Sequence, residues 1–198
     1  MFDLYPAIIV RSIIACQTTV LTSVYFNDSF VSDSICQSNS FMNTEILKII
    51  ALLQDAYNGD PWFGRSVKSL LSDVKEDAVF EKPNEQHSIL ELLWHMILWR
   101  EFIINSFCKD QKSAEYFEEN DWRNLDHTDA TLWMKGLQRL DETQTELIET
   151  LLVQEDSILE KVVPGRNYNF KKMLYGIIAH DIYHVAQVTY VNKMLQNK

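Results

Sequence analysis

Two of the chain's five histidines, His180 and His184, stand four residues apart in the stretch IIAHDIYHVAQV. Residues at this spacing lie one above the other on a helix, with Cβ atoms about 6 Å apart. Their ring nitrogens can then bind one metal ion at about 2.0–2.1 Å each. Because chance histidine pairs on helix surfaces are common, the spacing alone is a moderate signal, and its meaning depends on the helix that carries it.

That helix is predicted from about Phe170 to Leu195, and it has a continuous apolar face. Five apolar residues mark this face: Met173, Ile177, Val188, Val191 and Leu195. Continuing the face through the gap between 177 and 188 reaches positions 180 and 184. An imidazole buried without a partner costs on the order of 1–3 kcal/mol, so two of them on one buried face favour metal ligation over chance.

A third histidine, His95, lies inside SILELLWHMILWREFIINSF, which is apolar almost all round and predicts a buried second helix. This helix is predicted to begin at a capping box, in which Ser88 is followed three residues later by Glu91. Alone, His95 fits a hydrogen-bonded core histidine better than a metal ligand. With His180 and His184 it makes an open set of three imidazoles, which leaves coordination positions for water or substrate.

Three neighbouring residues are candidates to support such a site from behind its ligands or to line a pocket. Gln187 comes three residues after the second histidine of the pair and lies on the same helix face. Glu91 is one turn before His95, although the capping box already explains it fully. Tyr183 is close in sequence but points to another side of the helix, as does Asp181, and both fit an interface or a cap equally well.

The other residues with reactive or ligating groups have simpler interpretations. His87 precedes the capping serine and is predicted at the cap or at a pocket rim, and His127 lies in a polar loop where it is predicted to be solvated. Three cysteines without a CxxC pair suit a reducing cytoplasm. Cys108 ends an apolar run and is predicted to be a small buried hydrophobe. No side chain is identified as catalytic, so a water or thiolate on the metal is expected to carry the reaction.

The composition predicts an all-α fold whose functional domain occupies residues 42–198. Only five glycines and four prolines are available for turns, against 46% hydrophobic residues for a core. A helical period begins at MNTEILKIIALLQDAY, whereas residues 1–41 hold one basic and three acidic residues and many Ser, Thr and β-branched residues. We expect 1–41 to be a poorly structured N-terminal extension, or an upstream translated stretch outside the natural protein.

A net charge of −10 disfavours two classes of partner. Nucleic acids and anionic membrane surfaces attract clustered Lys and Arg, and the densest basic spot in the chain is Lys171–Lys172. No run approaches the roughly 20 apolar residues that a membrane span needs, and the first residues lack the basic region and the apolar length of a signal peptide. We expect a cytoplasmic protein that binds a small molecule.

HSILELLWHMILWREF together with GIIAHDIYHVAQV resembles the DinB/YfiT-like superfamily of metal-binding four-helix bundles. DPWFGRSVKSLL and PGRNYNFKKMLYGI are similar to the linking segments of that family, so the resemblance covers roughly 43–195. It implies a four-helix bundle in the up-down-down-up order, often a homodimer. It also implies a divalent metal held by His95, His180 and His184.

The resemblance leaves the function open, because some relatives look like thiol-dependent S-transferases or isomerases, others look like metal-dependent hydrolases, and many have no known activity. The leading hypothesis is an enzyme whose ion activates a low-molecular-weight thiol or water against a small substrate. The ion is expected to be zinc or nickel, with iron as the alternative. The second hypothesis is a non-catalytic metal-binding module for a stress response or an interaction. The third is a structural bundle whose histidines are satisfied by hydrogen bonds.

Overall fold

The computed structural model describes residues 43–109 and 111–196, so the predicted extension at 1–41 lies outside the described residues. Within the described ranges the chain forms helices and no β-strand: α1 (Thr44–Asn58), α2 (Val67–Leu71), α3 (Ile89–Ser106), α4 (Ala114–Glu119), α5 (Leu132–Leu152) and α6 (Phe170–Gln196). Four of these helices, α1, α3, α5 and α6, have 15 residues or more. The all-α prediction is confirmed.

The start of α3 follows the predicted capping box. Ser88 Oγ accepts a hydrogen bond from the Glu91 amide at 3.2 Å, and the Glu91 carboxylate accepts one from the Ser88 amide at 2.9 Å. These bonds satisfy amide groups for which the first helical turn has no internal partner. The cap sets where α3 begins, and the buried apolar side chains between Ile89 and Ile97 hold the face that carries His95 against the core.

Apolar residues recur at helical spacing from Trp133 to Leu151, and this pattern predicts a helix that starts near Thr128 or Asp129. The helix observed there, α5, begins instead at Leu132. The Asp126 carboxylate accepts a hydrogen bond from the Thr128 amide, and the Asp129 carboxylate accepts one from the Thr131 amide, at 2.9 Å each. Local bonds of this kind offer the backbone an alternative to the helix. The predicted start was wrong because these two turns come before the first helical residue.

Two clusters of buried apolar side chains fill the core at different heights along the long helices. The lower cluster draws mainly on 46–53 of α1, 98–103 of α3, 147–151 of α5 and 170–177 of α6. The upper cluster draws mainly on Tyr57 of α1, 89–97 of α3, 133–140 of α5 and 185–191 of α6. α1 and α6 therefore run from the lower to the upper cluster, whereas α3 and α5 run the opposite way, in an up-down-down-up order.

Buried polar side chains lie around the boundary between the lower and upper clusters, and we call them the polar layer. They are His95 and Arg100 of α3, Gln144 of α5, and Asp181 and His184 of α6. Because burying a polar group is costly unless it is hydrogen-bonded, the partners of these side chains show what the layer does.

Two further predictions concern the burial of Cys108 and the presence of a membrane-spanning helix. Cys108 is exposed, so the prediction that it is a buried hydrophobe was wrong. The reason is that α3 ends at Ser106, which leaves Cys108 in the turn that follows the buried helix. No helix within the described part of the chain has the length and apolar character needed to cross a membrane.

Candidate metal centre

The three predicted histidines come together at the polar layer, where partly exposed His180 joins His95 and His184, and we call them the histidine cluster. One ring nitrogen from each of His95, His180 and His184 lies within 4.8 Å of the other two. The Nε2 atoms of His95 and His180 are 3.1 Å apart. Two nitrogens bound to one tetrahedral zinc at about 2.1 Å are about 3.4 Å apart. The rings are therefore placed so that they could hold one ion.

Two of these rings are held from behind by hydrogen-bond acceptors. His95 Nδ1–H donates to the Asp121 carboxylate, and His184 Nδ1–H donates to Gln187 Oε1 at 2.7 Å. A neutral imidazole has one N–H donor and one acceptor nitrogen. With Nδ1 donating outwards, Nε2 of each ring presents a lone pair to the centre of the cluster. Metal-binding histidines are commonly oriented by outer partners in this way.

His180 differs because its buried Nδ1 has no hydrogen-bond partner among the described residues. Asp181 Oδ1 lies 3.9 Å from this nitrogen and is itself buried and unpaired. A hydrogen bond between the two atoms would give His180 the same kind of outer acceptor that His95 and His184 already have.

Burial favours the neutral forms of the two inner rings. Burial, with a smaller contribution from positive charge on His180 and His95, lowers the pKa of His184 to about 4. Burial also lowers the pKa of His95, although the Asp121 carboxylate opposes that shift. Because metal ions bind the neutral imidazole, both rings are in the ligand form at neutral pH.

A loop residue, Trp122, covers one face of His95. The two ring centroids are 3.9 Å apart with 10° between the planes, and the other face of Trp122 stacks on exposed His87 at 3.6 Å. Trp122 has a φ of 51°, which bulky residues rarely adopt, and backbone strain of this kind often occurs at functional sites. Its amide donates to the same Asp121 carboxylate at 3.1 Å. The Asp121–Trp122 pair therefore both orients and shields His95.

The three residues predicted to support the site make different contacts, and only one of them is hydrogen-bonded to a histidine of the cluster. Gln187 holds His184, as described above. The Glu91 carboxylate binds the helix cap and Lys82 Nζ at 2.6 Å, and no hydrogen bond joins it to a ring of the histidine cluster among the described residues. Tyr183 is 61% exposed, and the edge contact between its ring and that of His184 has a centroid distance of 4.9 Å. His127 is exposed, as expected of a solvated residue.

Asp181 was expected to face away from the core as an interface or capping residue, and that interpretation was wrong. Its Oδ2 accepts hydrogen bonds from Arg100 Nε at 2.9 Å and Nη2 at 2.7 Å, and both side chains are almost fully buried. Arg100 Nη1 donates to Gln144 Oε1 at 2.7 Å. This Arg100 cluster, made of Arg100, Gln144 and Asp181, joins α3, α5 and α6 next to His180.

The residues of both clusters fall within a segment that matches a known family. A model of the DinB family matches residues 62–195, which is more than half of the chain. This chain belongs to the DinB family. The match includes all three members of the histidine cluster, together with Asp121, Trp122 and Gln187. Searches of curated proteins and of solved structures gave no match.

In this DinB family protein, the residues of the candidate site that sequence reasoning missed are Asp121 and Trp122. Asp121 lies 26 residues after His95, in a segment that was interpreted as a polar loop. The available signal was Trp122 itself, because a tryptophan in the polar run EENDWRN must find an apolar or aromatic contact to be well packed.

Proposed function

We propose that this DinB family protein binds one divalent metal ion through His95, His180 and His184. The observation that carries the proposal is the direction of the outer hydrogen bonds. Because His95 and His184 donate to Asp121 and Gln187 through Nδ1, the lone pair of each ring is on Nε2, and one ring nitrogen from each of the three histidines lies within 4.8 Å of the other two. A cation between them would satisfy all three nitrogens.

The donor set also supports a choice of metal and an open site. Imidazole nitrogens suit zinc, nickel and iron, and we propose zinc or nickel, with iron as the alternative. Structural zinc sites are usually closed by four protein ligands that include cysteine. The group found among the described residues has three histidines and no cysteine, which leaves room for an exogenous ligand.

We propose that the protein is a metal-dependent enzyme of the thiol S-transferase or hydrolase type. When bound, an ion held by three imidazoles lowers the pKa of a coordinated water or thiol and so supplies a nucleophile at neutral pH. The protein orients the ligands through Asp121 and Gln187 and shields His95 with Trp122. Small-molecule substrates, including low-molecular-weight thiols, fit a centre inside a helical bundle better than polymers do.

Elemental analysis of the purified protein tests the metal-binding proposal. We expect about one zinc, nickel or iron atom per chain, either as isolated or after reconstitution and removal of free metal. A His180→Ala/His184→Ala double variant should retain less than about a tenth of that content, because two of three ligands are lost. Absence of stoichiometric metal from the wild-type protein after both treatments would contradict the proposal.

Turnover separates an enzyme from a non-catalytic metal-binding module. The metal-loaded protein is mixed with monochlorobimane and, in turn, with cysteine, glutathione and other low-molecular-weight thiols, and conjugate formation is followed by fluorescence. We expect a rate above the uncatalysed reaction that the double histidine variant lacks. Full metal content with no turnover of any thiol conjugate or hydrolysable ester would favour the module instead.

A further inference from the structure

A cleft of about 160 Å³ adjoins the histidine cluster on the side of His180. It lies between α3, α6 and the turn before α6. Its walls include Trp99, Phe102, Tyr168, Met173 and Gly176, and His180 lies at its edge. Apart from His180, the Tyr168 hydroxyl and the indole N–H of Trp99, the side chains in the walls are apolar. An apolar cavity of about 150 Å³ is large enough to bind benzene, so the cleft matches an aryl or branched alkyl group in size and chemistry.

The aromatic wall of this cleft is preorganised. Trp99 and Phe102 meet edge to face with ring centroids 5.6 Å apart, and Phe102 meets Phe117 in the same way at 5.3 Å. The Arg166 guanidinium lies 5.0 Å from the Phe102 ring centroid and 5.9 Å from that of Trp99. Such contacts restrict the rings to one arrangement, and binding pockets are usually formed in advance.

At Gly176, which lines the cleft, the wall has no side chain. This glycine precedes His180 by one turn of α6, so the two residues lie on the same face of the helix. A Cβ added at Gly176 would meet no other atom within 4 Å. Packing therefore does not require glycine here, and glycine within a helix is less favourable than alanine. Any larger residue at this position would project into open space beside His180.

We propose that the cleft binds the apolar part of a small ligand whose donor atom reaches the metal, and that Gly176 sets the size of the group accepted. The inference rests on the proposed metal function and adds a substrate class to it. The occupant is a thiol or similar donor that carries an aryl or branched alkyl group. We choose this class of occupant because the apolar walls of the cleft extend as far as His180, one of the three proposed ligands.

The test uses the full-length protein loaded with cobalt(II), whose absorption changes when a thiolate binds. Two thiols of similar acidity are titrated, 2-mercaptoethanol and phenylmethanethiol. We expect wild-type protein to bind phenylmethanethiol about tenfold more tightly or better, since burying a phenyl group is favourable. Gly176→Leu should bring the affinity ratio close to one while it leaves cobalt and 2-mercaptoethanol binding within about twofold. Gly176→Ala should give an intermediate ratio.

Ala186→Leu is the matched control, because it places the same leucine side chain at an exposed position of the same helix. It should preserve the wild-type preference. A preference that survives in both Gly176 variants, or that the wild type lacks while it binds cobalt fully, would overturn the cleft proposal alone. Failure of the wild type to bind cobalt would overturn the metal function and the cleft proposal together. Gly176→Ala also keeps the test decisive if Gly176→Leu does not fold.

Discussion

The Arg100 cluster and the histidine cluster lie side by side at the polar layer. They differ in how their polar atoms find hydrogen-bond partners. In the Arg100 cluster, a guanidinium donates to a carboxylate and to an amide oxygen, so a positive and a negative charge are buried together. In the histidine cluster, ring nitrogens from α3 and α6 lie within 4.8 Å of one another, and no carboxylate or guanidinium is among them. The first cluster supplies its own cation, whereas the second could hold a cation from outside.

This difference separates a structural polar group from a candidate site within one layer of one bundle. Arg100 Nε, Nη1 and Nη2 all have protein partners, so the first cluster requires no ligand. His95 and His184 have outer partners that turn their lone pairs inwards. The two clusters approach each other at His180 Nδ1 and Asp181 Oδ1, the pair of unpaired atoms 3.9 Å apart.

The largest expected effect comes from breaking the Arg100 cluster. Arg100→Met keeps an apolar stem but leaves the Asp181 carboxylate buried without its cation. We expect the free energy of unfolding to fall by about 3–5 kcal/mol, measured by urea denaturation at neutral pH. In metal-free protein, His184→Leu should change the same quantity by about 1 kcal/mol or less in either direction. An equal loss from both variants would remove the distinction between the clusters.

The next effect is a dependence of stability on pH that belongs to the histidine cluster. Unfolded His184 takes up a proton near its ordinary pKa of 6.5, whereas in the folded, metal-free protein its pKa is about 4. The unfolded state therefore binds more protons between these values, and stability falls as the pH drops through that window. The loss should reach on the order of 3 kcal/mol.

Urea unfolding of metal-free protein between about pH 7.5 and pH 4.5 measures this effect. His184→Leu is the control, because it removes the titrating group and should flatten that part of the pH profile. Identical profiles for the wild type and the variant would show that His184 is not held neutral by the fold.

The third prediction concerns how firmly the histidine cluster is oriented. Asp121→Ala removes the acceptor behind His95 and should weaken zinc binding by about 10–100-fold, as expected when an outer partner of a ligand is lost. Competition with a chromophoric chelator measures the affinity. Asp126→Ala is the matched control, since that carboxylate lies in the same loop but binds Thr128 instead of a histidine. Equal losses in the two variants would point to a general disturbance of the loop.

The smallest expected effect lies outside both clusters. Ser88→Ala removes the side-chain cap of α3 and should lower the free energy of unfolding by about 1 kcal/mol. Zinc affinity should stay the same, because the helix remains packed by its apolar side chains and His95 keeps its place. A loss of zinc affinity comparable to that of Asp121→Ala would mean that the cap, and not the outer hydrogen bond, orients His95.

The sequence predicted the features that depend on local pattern. The capping box at Ser88 and the apolar face of α6 are read from residues a few positions apart, and both are observed. The meeting of His95 with His180 and His184 was inferred from buried faces and from the family resemblance. The start of α5 was missed because aspartate turns interrupt a helical period that continues beyond them.

Pairings across long stretches of chain could not be predicted in this way. Arg100 and Asp181 are 81 residues apart, and each looks like a surface charge in its own helix. Asp121 likewise has no local pattern that connects it to His95. These contacts depend on how α3, α6 and the intervening loop pack, and a single sequence does not specify that packing.

X-ray absorption at the zinc edge of the zinc-loaded protein tests the central claim most directly, because it reports which atoms surround the ion. We predict three imidazole ligands with nitrogen at about 2.0–2.1 Å and one further light-atom ligand. The His180→Ala/His184→Ala variant, loaded under the same conditions, should lose the imidazole signal. A wild-type spectrum without imidazole, or one dominated by sulfur at about 2.3 Å, would contradict the assignment of the histidine cluster as the metal centre.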